Sequence, residues 1–230
     1  MKKCLVISGQ YRTFDITWRN IKNFIDLNEL DVYAHLWSID ENEIKNVKDR
    51  LNPVKILTEY YPEHQKYFDD METRIKSKNP KNLIGNDNLS GAASMHYSRK
   101  KAFDLVNKCD YDVVVYCRYD ININQNFYFE TVNNVITPEE NSYALISDIF
   151  SVMPMSMADS YFLFDEYESL QSSDWESEFI EWLRNVKKYP ERDILTHIHN
   201  RYCPHLMLMR NILKNGHSFE ISNLPVSTQR

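Results

Sequence analysis

The hydrophobic and polar positions of the first 60 residues switch repeatedly between strand and helix patterns. A continuous apolar run over residues 4–7 indicates a strand that is buried on both faces, as in a parallel sheet. The polar turn Ser8-Gly9-Gln10 follows it. The predicted elements are strands at 4–7, 31–37 and 54–58, and helices at 14–27 and 41–51, the second stopped by Pro53. This β-α-β-α-β order predicts an α/β fold.

The middle of the chain contains the strand with the strongest apolar character. Charged residues over 62–78 predict a solvated helix, and a polar loop covers 79–90. A helix that begins at Ser90 or Gly91 and continues to residue 108 leads to an apolar strand at 113–117. That strand ends in Arg118-Tyr119-Asp120, so a carboxylate leaves the sheet at the edge of its core.

The pattern after residue 122 is more diffuse. It predicts strands at 142–146, 159–164 and 217–221, a methionine-rich loop at 151–158, and helices at 165–186 and 191–214. We expect one domain over residues 1–230, with a mixed, mostly parallel sheet and helices on both faces.

Composition excludes several classes of function. The chain has 4 glycines in 230 residues and neither glycine-rich phosphate-loop motif. Its net charge of −6 disfavours binding to nucleic acid. The four cysteines are scattered, which predicts reduced thiols and a cytoplasmic location. The apolar start is too short for a signal peptide, and no run approaches the roughly 20 residues of a membrane span. Any membrane contact is expected to be peripheral, through a partner or a surface patch.

Ligands of open parallel sheets bind outside the carboxyl ends of the strands, which draws attention to two segments. Asp120 ends the strongest strand, and there a carboxylate is costly to desolvate unless it is paired. Arg118, two residues earlier, is a candidate cofactor-binding residue, and one interpretation is that it forms an ion pair with Asp120. The other is coordination of Mg²⁺ or Mn²⁺ with help from the amide oxygen of Asn122, because these cations take oxygen ligands.

The second segment is the turn after the first strand. Tyr11 can stack on a nucleobase, and the planar fork of Arg12 can pair with a phosphate beside Gln10. The alternative is that Tyr11 and Arg12 only cap the following helix.

Together these motifs resemble a known family. The string YDVVV followed by Arg118-Tyr119-Asp120 is similar to the metal-site segment of GT-A-type glycosyltransferases, where it takes the place of the Asp-x-Asp motif. The strings ISGQYRTFDITWRNI, DVYAHLW and MHYSRKKAFDLV add to the resemblance in order and spacing. The nearest resemblance is to the WavE-like, capsule and lipopolysaccharide sugar transferases of bacteria and large viruses, and it covers most of residues 4–122.

The resemblance implies an enzyme of polysaccharide biosynthesis with a GT-A-like, Rossmann-like fold. It implies a nucleoside-diphosphate-sugar donor, a glycan or lipid-linked acceptor, and a divalent metal, Mn²⁺ or Mg²⁺, on Asp120. Residues 1–122 would form the nucleotide-binding half and residues 123–230 the acceptor half. Gln10, Tyr11 and Arg12 correspond to the nucleotide loop. The chain departs from the pattern at Asn122, which stands where a second acid is usual and removes one charge from the metal site.

Four further residues are candidates for the same reaction. Arg99 could neutralise a diphosphate, although a solvated helix face explains it as well. Trp37 could line the nucleotide pocket. Asp159 is the first choice for a general base that activates the acceptor, and its alternative is an ordinary residue at the start of a strand. Glu191 is the second choice, and its alternative is a helix-capping residue.

Two other functions remain open. One is a non-catalytic sugar-nucleotide or glycan-binding domain of the same fold, which Asn122 favours. The other is a different Rossmann-like transferase, such as a methyltransferase, against which the glycine-poor first loop counts.

Overall fold

The structure is a computed structural model, and it describes most of the chain in separate ranges. Those ranges are residues 1–78, 89–123, 127–138, 147–162, 164, 181, 184–185, 204–222, 224 and 226–228. The strands are β1 (Lys3–Gly9), β2 (Leu30–Trp37), β3 (Lys55–Glu59), β4 (Val113–Arg118), β5 (Ile121–Ile123), β6 (Val135–Pro138), β7 (Phe150–Pro154), β8 (Phe219–Ser222) and β9 (Val226–Thr228). The helices are α1 (Phe14–Asn28), α2 (Glu41–Leu51), α3 (Tyr61–Lys78), α4 (Leu89–Asp104), α5 (Ala158–Tyr161) and α6 (Pro204–Lys214).

Seven of these strands form one mixed sheet in the order β3-β2-β1-β4-β7-β6-β8. The first four are parallel, and β7 runs antiparallel to both β4 and β6. The last pair, β6 and β8, is parallel again. A second, two-stranded sheet pairs β5 with β9.

Helices cover both faces of the sheet because the central strands are apolar on both sides. Leu5 and Ile7 of β1 point to the layer of α1 and α2, whereas Cys4 and Val6 point to the layer that contains α3, α4 and α6. The predicted fold class is therefore confirmed as an α/β fold with a mixed, mostly parallel sheet and helices on both faces. None of the described helices is both long and apolar enough to cross a membrane.

The strands and helices predicted for the first half agree with the structure in position, and those for the second half agree in part. The helix predicted at 62–78 is not solvated as expected, because α3 buries Phe68, Met71 and Ile75 in the core, and most of the loop predicted at 79–90 lies outside the described residues. The methionine-rich segment predicted as a loop contains β7, because its alternate positions face two buried layers. The strand predicted at 159–164 is wrong, since residues 158–161 form the short helix α5. The strands β5, β6 and β9 were not predicted, and most of the proposed strand at 142–146 and helix at 165–186 lies outside the described residues.

The chain reverses its order across the sheet between β1 and β4. From β1 it proceeds outward to β2 and β3, and it then returns to place β4 on the other side of β1. Ser8 is opposite Arg118 in the register of the two parallel strands. The loops that follow β1 and β4 therefore meet at one edge of the sheet.

Candidate functional site

A cleft of about 420 Å³ lies at the edge where β1, β2 and β4 end. The loops after β1 and β4, which the sequence predicts as ligand-binding segments, both contribute residues to it. Its described lining residues are Ser8, Gly9, Gln10, Arg12, Trp37, Tyr61, Gly91, Ala92, Ser94, Met95, Arg118, Tyr119 and Asp120. The volume falls within the range of small-molecule sites, roughly 300–1,000 Å³.

Asp120 lies in this cleft as the shared acceptor of two arginines. Its side chain is only 6% exposed. Arg118 donates to both carboxylate oxygens, from Nε to Oδ1 at 2.8 Å and from Nη2 to Oδ2 at 2.5 Å. Arg12 donates from Nη1 to Oδ2 at 3.2 Å. The predicted Arg118–Asp120 ion pair is therefore present, and a second guanidinium joins it.

The charge balance of this group is positive. Among the described residues that line the cleft, two guanidiniums and one carboxylate leave a net charge of +1, and Asp148, which does not line the cleft, also acts electrostatically on Arg118. Burial lowers the pKa of Arg118, but the hydrogen bond and the charge of Asp120 outweigh burial and raise it above its ordinary value. Arg118 therefore stays charged, and the cleft favours an anionic ligand.

The backbone of the loop after β1 is shaped to bring Arg12 to Asp120. Gly9 has φ 128° and Arg12 has φ 40°, both in the region that side chains rarely adopt. Gln10 Oε1 accepts from Arg12 Nε at 2.9 Å, which orients the guanidinium further. Strained non-glycine backbone of this kind is concentrated at functional sites. Here it directs a cation that is half exposed towards a buried carboxylate.

A second anchor holds the loop after β4. The hydroxyl of Thr17, on α1, donates to the backbone carbonyl of Tyr119 at 2.6 Å. The ring of Tyr119 packs edge-on against Phe14 of the same helix. Asp120 is thus attached through its neighbour to the rigid layer of α1 rather than to a free loop.

The amino-terminal turns of α4 form the opposite wall of the cleft. Gly91, Ala92 and Met95 line it from this helix. The amino end of a helix carries a partial positive charge that attracts anions. Glu72 of α3 accepts the backbone N–H of Ser90 at 2.7 Å and so caps part of that end.

Buried polar contacts fix α4 against the sheet. His35 of β2 bonds Ser98 through Nδ1 at 2.7 Å and Glu59 of β3 through Nε2 at 2.7 Å. Tyr97 donates to the other oxygen of Glu59 at 3.2 Å. Desolvation lowers the pKa of His35 although Glu59 opposes it, and the hydrogen bond from His35 lowers the pKa of Glu59. This network fixes α4 against β2 and β3, and α4 in turn lines the cleft with its amino-terminal turns.

Trp37, which was expected to line a nucleotide pocket, lies in the cleft wall within a cluster of aromatic rings. Its ring stacks on Tyr97, with centroids 5.6 Å apart, and meets Tyr61 edge-on at 5.5 Å. Trp37 is 8% exposed. Because one face is already covered by Tyr97, it acts as a rigid wall.

The residues predicted to hold a metal do not fit a divalent cation. Both oxygens of Asp120 already accept from guanidiniums, and no other described residue of the cleft is acidic. No group of three or more metal-binding side chains occurs among the described residues. Two like unit charges 4 Å apart repel by about 4 kcal/mol at an effective dielectric constant of 20, so a dication beside two guanidiniums would be opposed strongly.

Asn122, the predicted second metal ligand, is bound by a residue of α1 rather than exposed in the cleft. It lies in β5, and its Oδ1 accepts a short hydrogen bond from Asn20 of α1. It is not among the lining residues of the cleft. The structure therefore does not bring the two proposed metal ligands together.

Tyr11 is not placed to stack on a nucleobase. It is 7% exposed, and its ring packs edge-on against Phe14. Its hydroxyl donates to Asp15 at 2.7 Å and accepts from Asn46 at 3.0 Å. Tyr11 therefore fastens α1 to α2, and of the predicted nucleotide loop only Gln10 and Arg12 reach the cleft.

Arg99 is neither solvated nor in the cleft wall. It is fully buried, with its guanidinium 4.6 Å from the ring centre of Tyr161 and 5.3 Å from that of Tyr116. It forms a short contact with His96. Among the described residues, its Nε and Nη1 have no hydrogen-bond partner.

The two predicted general bases do not join the described cleft. Asp159 pairs with Lys108 in the turn before β4, at the amino edge of the sheet, and its side chain is 74% exposed. It follows β7, which runs antiparallel to β4 and carries the chain away from the cleft. Glu191 lies outside the described residues.

Sequence reasoning missed the contribution of α3 and α4 to the cleft. Tyr61 and the first two turns of α4 line it. The signal for α4 was present in the small residues Gly91, Ala92 and Ser94, which let a ligand approach a helix end closely. For Tyr61 no comparable local pattern exists.

Comparisons with known proteins add little to this geometry. No protein-family model matches the sequence, and no curated protein matches it. Among solved structures, the chain is similar to mouse xyloside xylosyltransferase 1 in its apo form. The TM-score is 0.39 at 9% sequence identity, over 96% of this chain and 85% of that chain. A likeness at this level carries no functional argument, so the function has to be inferred from the cleft.

Proposed function

We propose that this protein is a glycosyltransferase that moves a sugar from a nucleoside-diphosphate-sugar donor to a glycan or lipid-linked acceptor. The observation that carries the proposal is the position and charge of the cleft. It lies at the carboxyl ends of β1 and β4, where the strand order reverses, and two arginines converge there. Nucleotides bind Rossmann-like sheets at this reversal point.

The chemistry of the wall favours a diphosphate as the recognised group. Guanidiniums pair with phosphate oxygens as planar forks, and the amino end of α4 adds a favourable dipole from the other side. The resemblance of residues 4–122 to sugar transferases extends this inference from a nucleotide to a nucleotide sugar. The acceptor and the general base are not assigned to residues.

The same charges count against a methyltransferase. S-adenosylmethionine carries a sulfonium cation, which the net charge of +1 at Arg12, Arg118 and Asp120 would repel. A diphosphate carries at least two negative charges at neutral pH and would be attracted.

A non-catalytic nucleotide-sugar-binding domain is the second candidate. It is favoured by one observation: the only acidic side chain among the described residues of the cleft, Asp120, is already held by two arginines. It is therefore poorly placed to act as a general base. The two candidates predict the same binding and differ in turnover.

The test is a thermal-shift screen against UDP-, GDP- and dTDP-sugars and S-adenosylmethionine, followed by an assay of donor turnover. We expect stabilisation by at least one nucleotide sugar and release of its nucleoside diphosphate. Binding without turnover would favour the non-catalytic domain. Stabilisation by S-adenosylmethionine alone would contradict the proposal.

A further inference from the structure

We infer that Arg12 and Arg118 hold the donor diphosphate directly, without a bridging metal ion, and that Asp120 is a positioning residue for both guanidiniums. This inference rests on the proposed function, since it concerns the same cleft. It departs from the metal role that the sequence suggests for Asp120. Three features of the described residues support it.

The first feature is that each arginine keeps donors available. Arg12 uses Nε for Gln10 and Nη1 for Asp120. Arg118 uses Nε and Nη2 for Asp120. Within the described part of the chain, Arg12 Nη2 and Arg118 Nη1 have no protein acceptor, and both residues line the cleft. Two donors on neighbouring cations suit the oxygens of one diphosphate.

The second feature is that one oxygen of Asp120 joins the two cations. Oδ2 accepts from Arg118 Nη2 and from Arg12 Nη1. Two guanidiniums this close would otherwise repel each other. The carboxylate therefore keeps both side chains in place before a ligand arrives, which is the preorganisation that electrostatic catalysis requires.

The third feature is that the oxygen atoms a cation would need as ligands already accept hydrogen bonds from other side chains. A metal on Asp120 would have to displace Arg118 from a bidentate contact in which that arginine is 21% exposed. Asn122, the other proposed ligand, is engaged by Asn20.

The transfer of the sugar to the acceptor requires no metal ion. The bond between the anomeric carbon and the β-phosphate oxygen breaks, and its electron pair stays on that oxygen. The acceptor hydroxyl oxygen bonds to the anomeric carbon, and its proton passes to solvent. Arg12 and Arg118 stabilise the charge that develops on the leaving diphosphate.

The experiment measures nucleotide affinity by calorimetry with UDP, GDP and dTDP, once in EDTA and once in excess Mn²⁺. We expect excess Mn²⁺ not to strengthen binding by the wild type, and to weaken it to the extent that the ion occupies the diphosphate oxygens in solution. Arg12→Ala should weaken binding about tenfold, because it removes a charge-assisted hydrogen bond. Arg12→Lys should recover only part of that loss, since lysine lacks the planar fork. Arg19→Ala, an exposed arginine of α1 outside the cleft, is the matched control and should bind like the wild type.

Arg12 is the principal variant because its side chain is 54% exposed and its loss should leave the fold intact. The role of Asp120 is tested by a double-mutant cycle of Asp120→Asn with Arg12→Ala. A positioning role predicts that the two losses of affinity are clearly less than additive. Additive losses would show that Asp120 acts independently of Arg12, and would overturn that part of the inference.

Two failures are distinguishable. If the wild type binds a nucleotide only in Mn²⁺, or if Arg12→Ala binds normally, the inference is wrong while the proposed function stands. If the wild type binds none of the three nucleotides in either condition, the proposed function fails as well.

Discussion

The two aspartates that flank the ends of β4 differ in almost every physical respect. Asp120 follows the carboxyl end, is 6% exposed and accepts from two arginines. Asp159 lies near the amino end, is 74% exposed and pairs with Lys108. Both follow an apolar run in the sequence. The difference shows that the direction of the preceding strand, more than its hydrophobicity, decides which edge of the sheet an acidic residue reaches.

The largest expected effect is a difference in the free energy of unfolding between variants of these two aspartates. Asp120→Ala should lower the free energy of unfolding by about 3 kcal/mol, because Arg118 is left largely buried without its partner. Asp159→Ala should lower it by less than about 0.5 kcal/mol, as expected for an exposed pair. Urea denaturation of both variants measures the difference. Equal losses would contradict the assignment of the two edges.

Glu59 is a third carboxylate for comparison, and it is paired with a histidine rather than with arginines. Desolvation keeps the pKa of His35 below its ordinary value, and the hydrogen bond from His35 keeps the pKa of Glu59 below its own. On acidification the unfolded chain therefore takes up these protons before the folded protein does. Stability should fall as the pH drops below about 6.5, the ordinary pKa of histidine, and fall further below that of glutamate.

Urea denaturation at pH 7.5 and pH 5.5 checks this sign. The free energy of unfolding should be lower at pH 5.5 in the wild type, and His35→Gln should reduce the difference. An unchanged pH dependence in His35→Gln would assign it to other groups.

Tyr11 provides a smaller effect that tests the nucleotide loop. Tyr11→Phe removes the hydrogen bonds to Asp15 and Asn46 and should cost about 1 kcal/mol of stability. Nucleotide affinity should stay unchanged, since the ring lies in the core. Calorimetry compares the nucleotide affinity of Tyr11→Phe with that of Arg12→Ala. A large loss of affinity in Tyr11→Phe would indicate that Tyr11 contacts the nucleotide after all.

The smallest expected effect concerns Asn122. Asn122→Asp recreates the Asp-x-Asp pattern of metal-dependent transferases, yet the side chain faces Asn20 on α1. We therefore expect no Mn²⁺ binding to be gained in the absence of nucleotide, as measured by calorimetry. New Mn²⁺ affinity, abolished by Asp120→Ala, would show that the two positions converge after all.

Periodicity predicted the first half of the fold well because each strand there is followed by its own covering helix. The run at residues 4–7 and the helix spacing over 14–27 are local signals, and they correspond to β1 and α1. The pattern at residues 150–154 did not predict β7, because its mixture of serine, methionine and proline is typical of a loop. The strand is nevertheless central in the sheet and lies between two buried layers. Its antiparallel direction, which removes Asp159 from the cleft, depends on long-range pairing that no local pattern contains.

The sequence predicted which strand ends would meet, and it predicted less of how their side chains pair. The rule for carboxyl ends of parallel strands identified the loops at 8–13 and 118–122, and the cleft is lined by residues of both, although Asn122 is not among its described lining residues. The pairing of Asp120 with Arg12 could not be read from the sequence, because the two residues are 108 positions apart and meet only through the strained backbone of the first loop. That pairing is the observation behind our proposal that Asp120 positions the two guanidiniums rather than binding a metal ion.

A crystal structure with the best-binding nucleoside diphosphate, grown in the presence of Mn²⁺, would distinguish the two roles considered for Asp120. We expect the diphosphate in the cleft between β1 and β4, with its oxygens within hydrogen-bond distance of Arg12 and Arg118 and with Asp120 still bound to both. A Mn²⁺ ion that bridges Asp120 to the diphosphate, with Arg118 displaced, would show that the diphosphate is held through a metal instead.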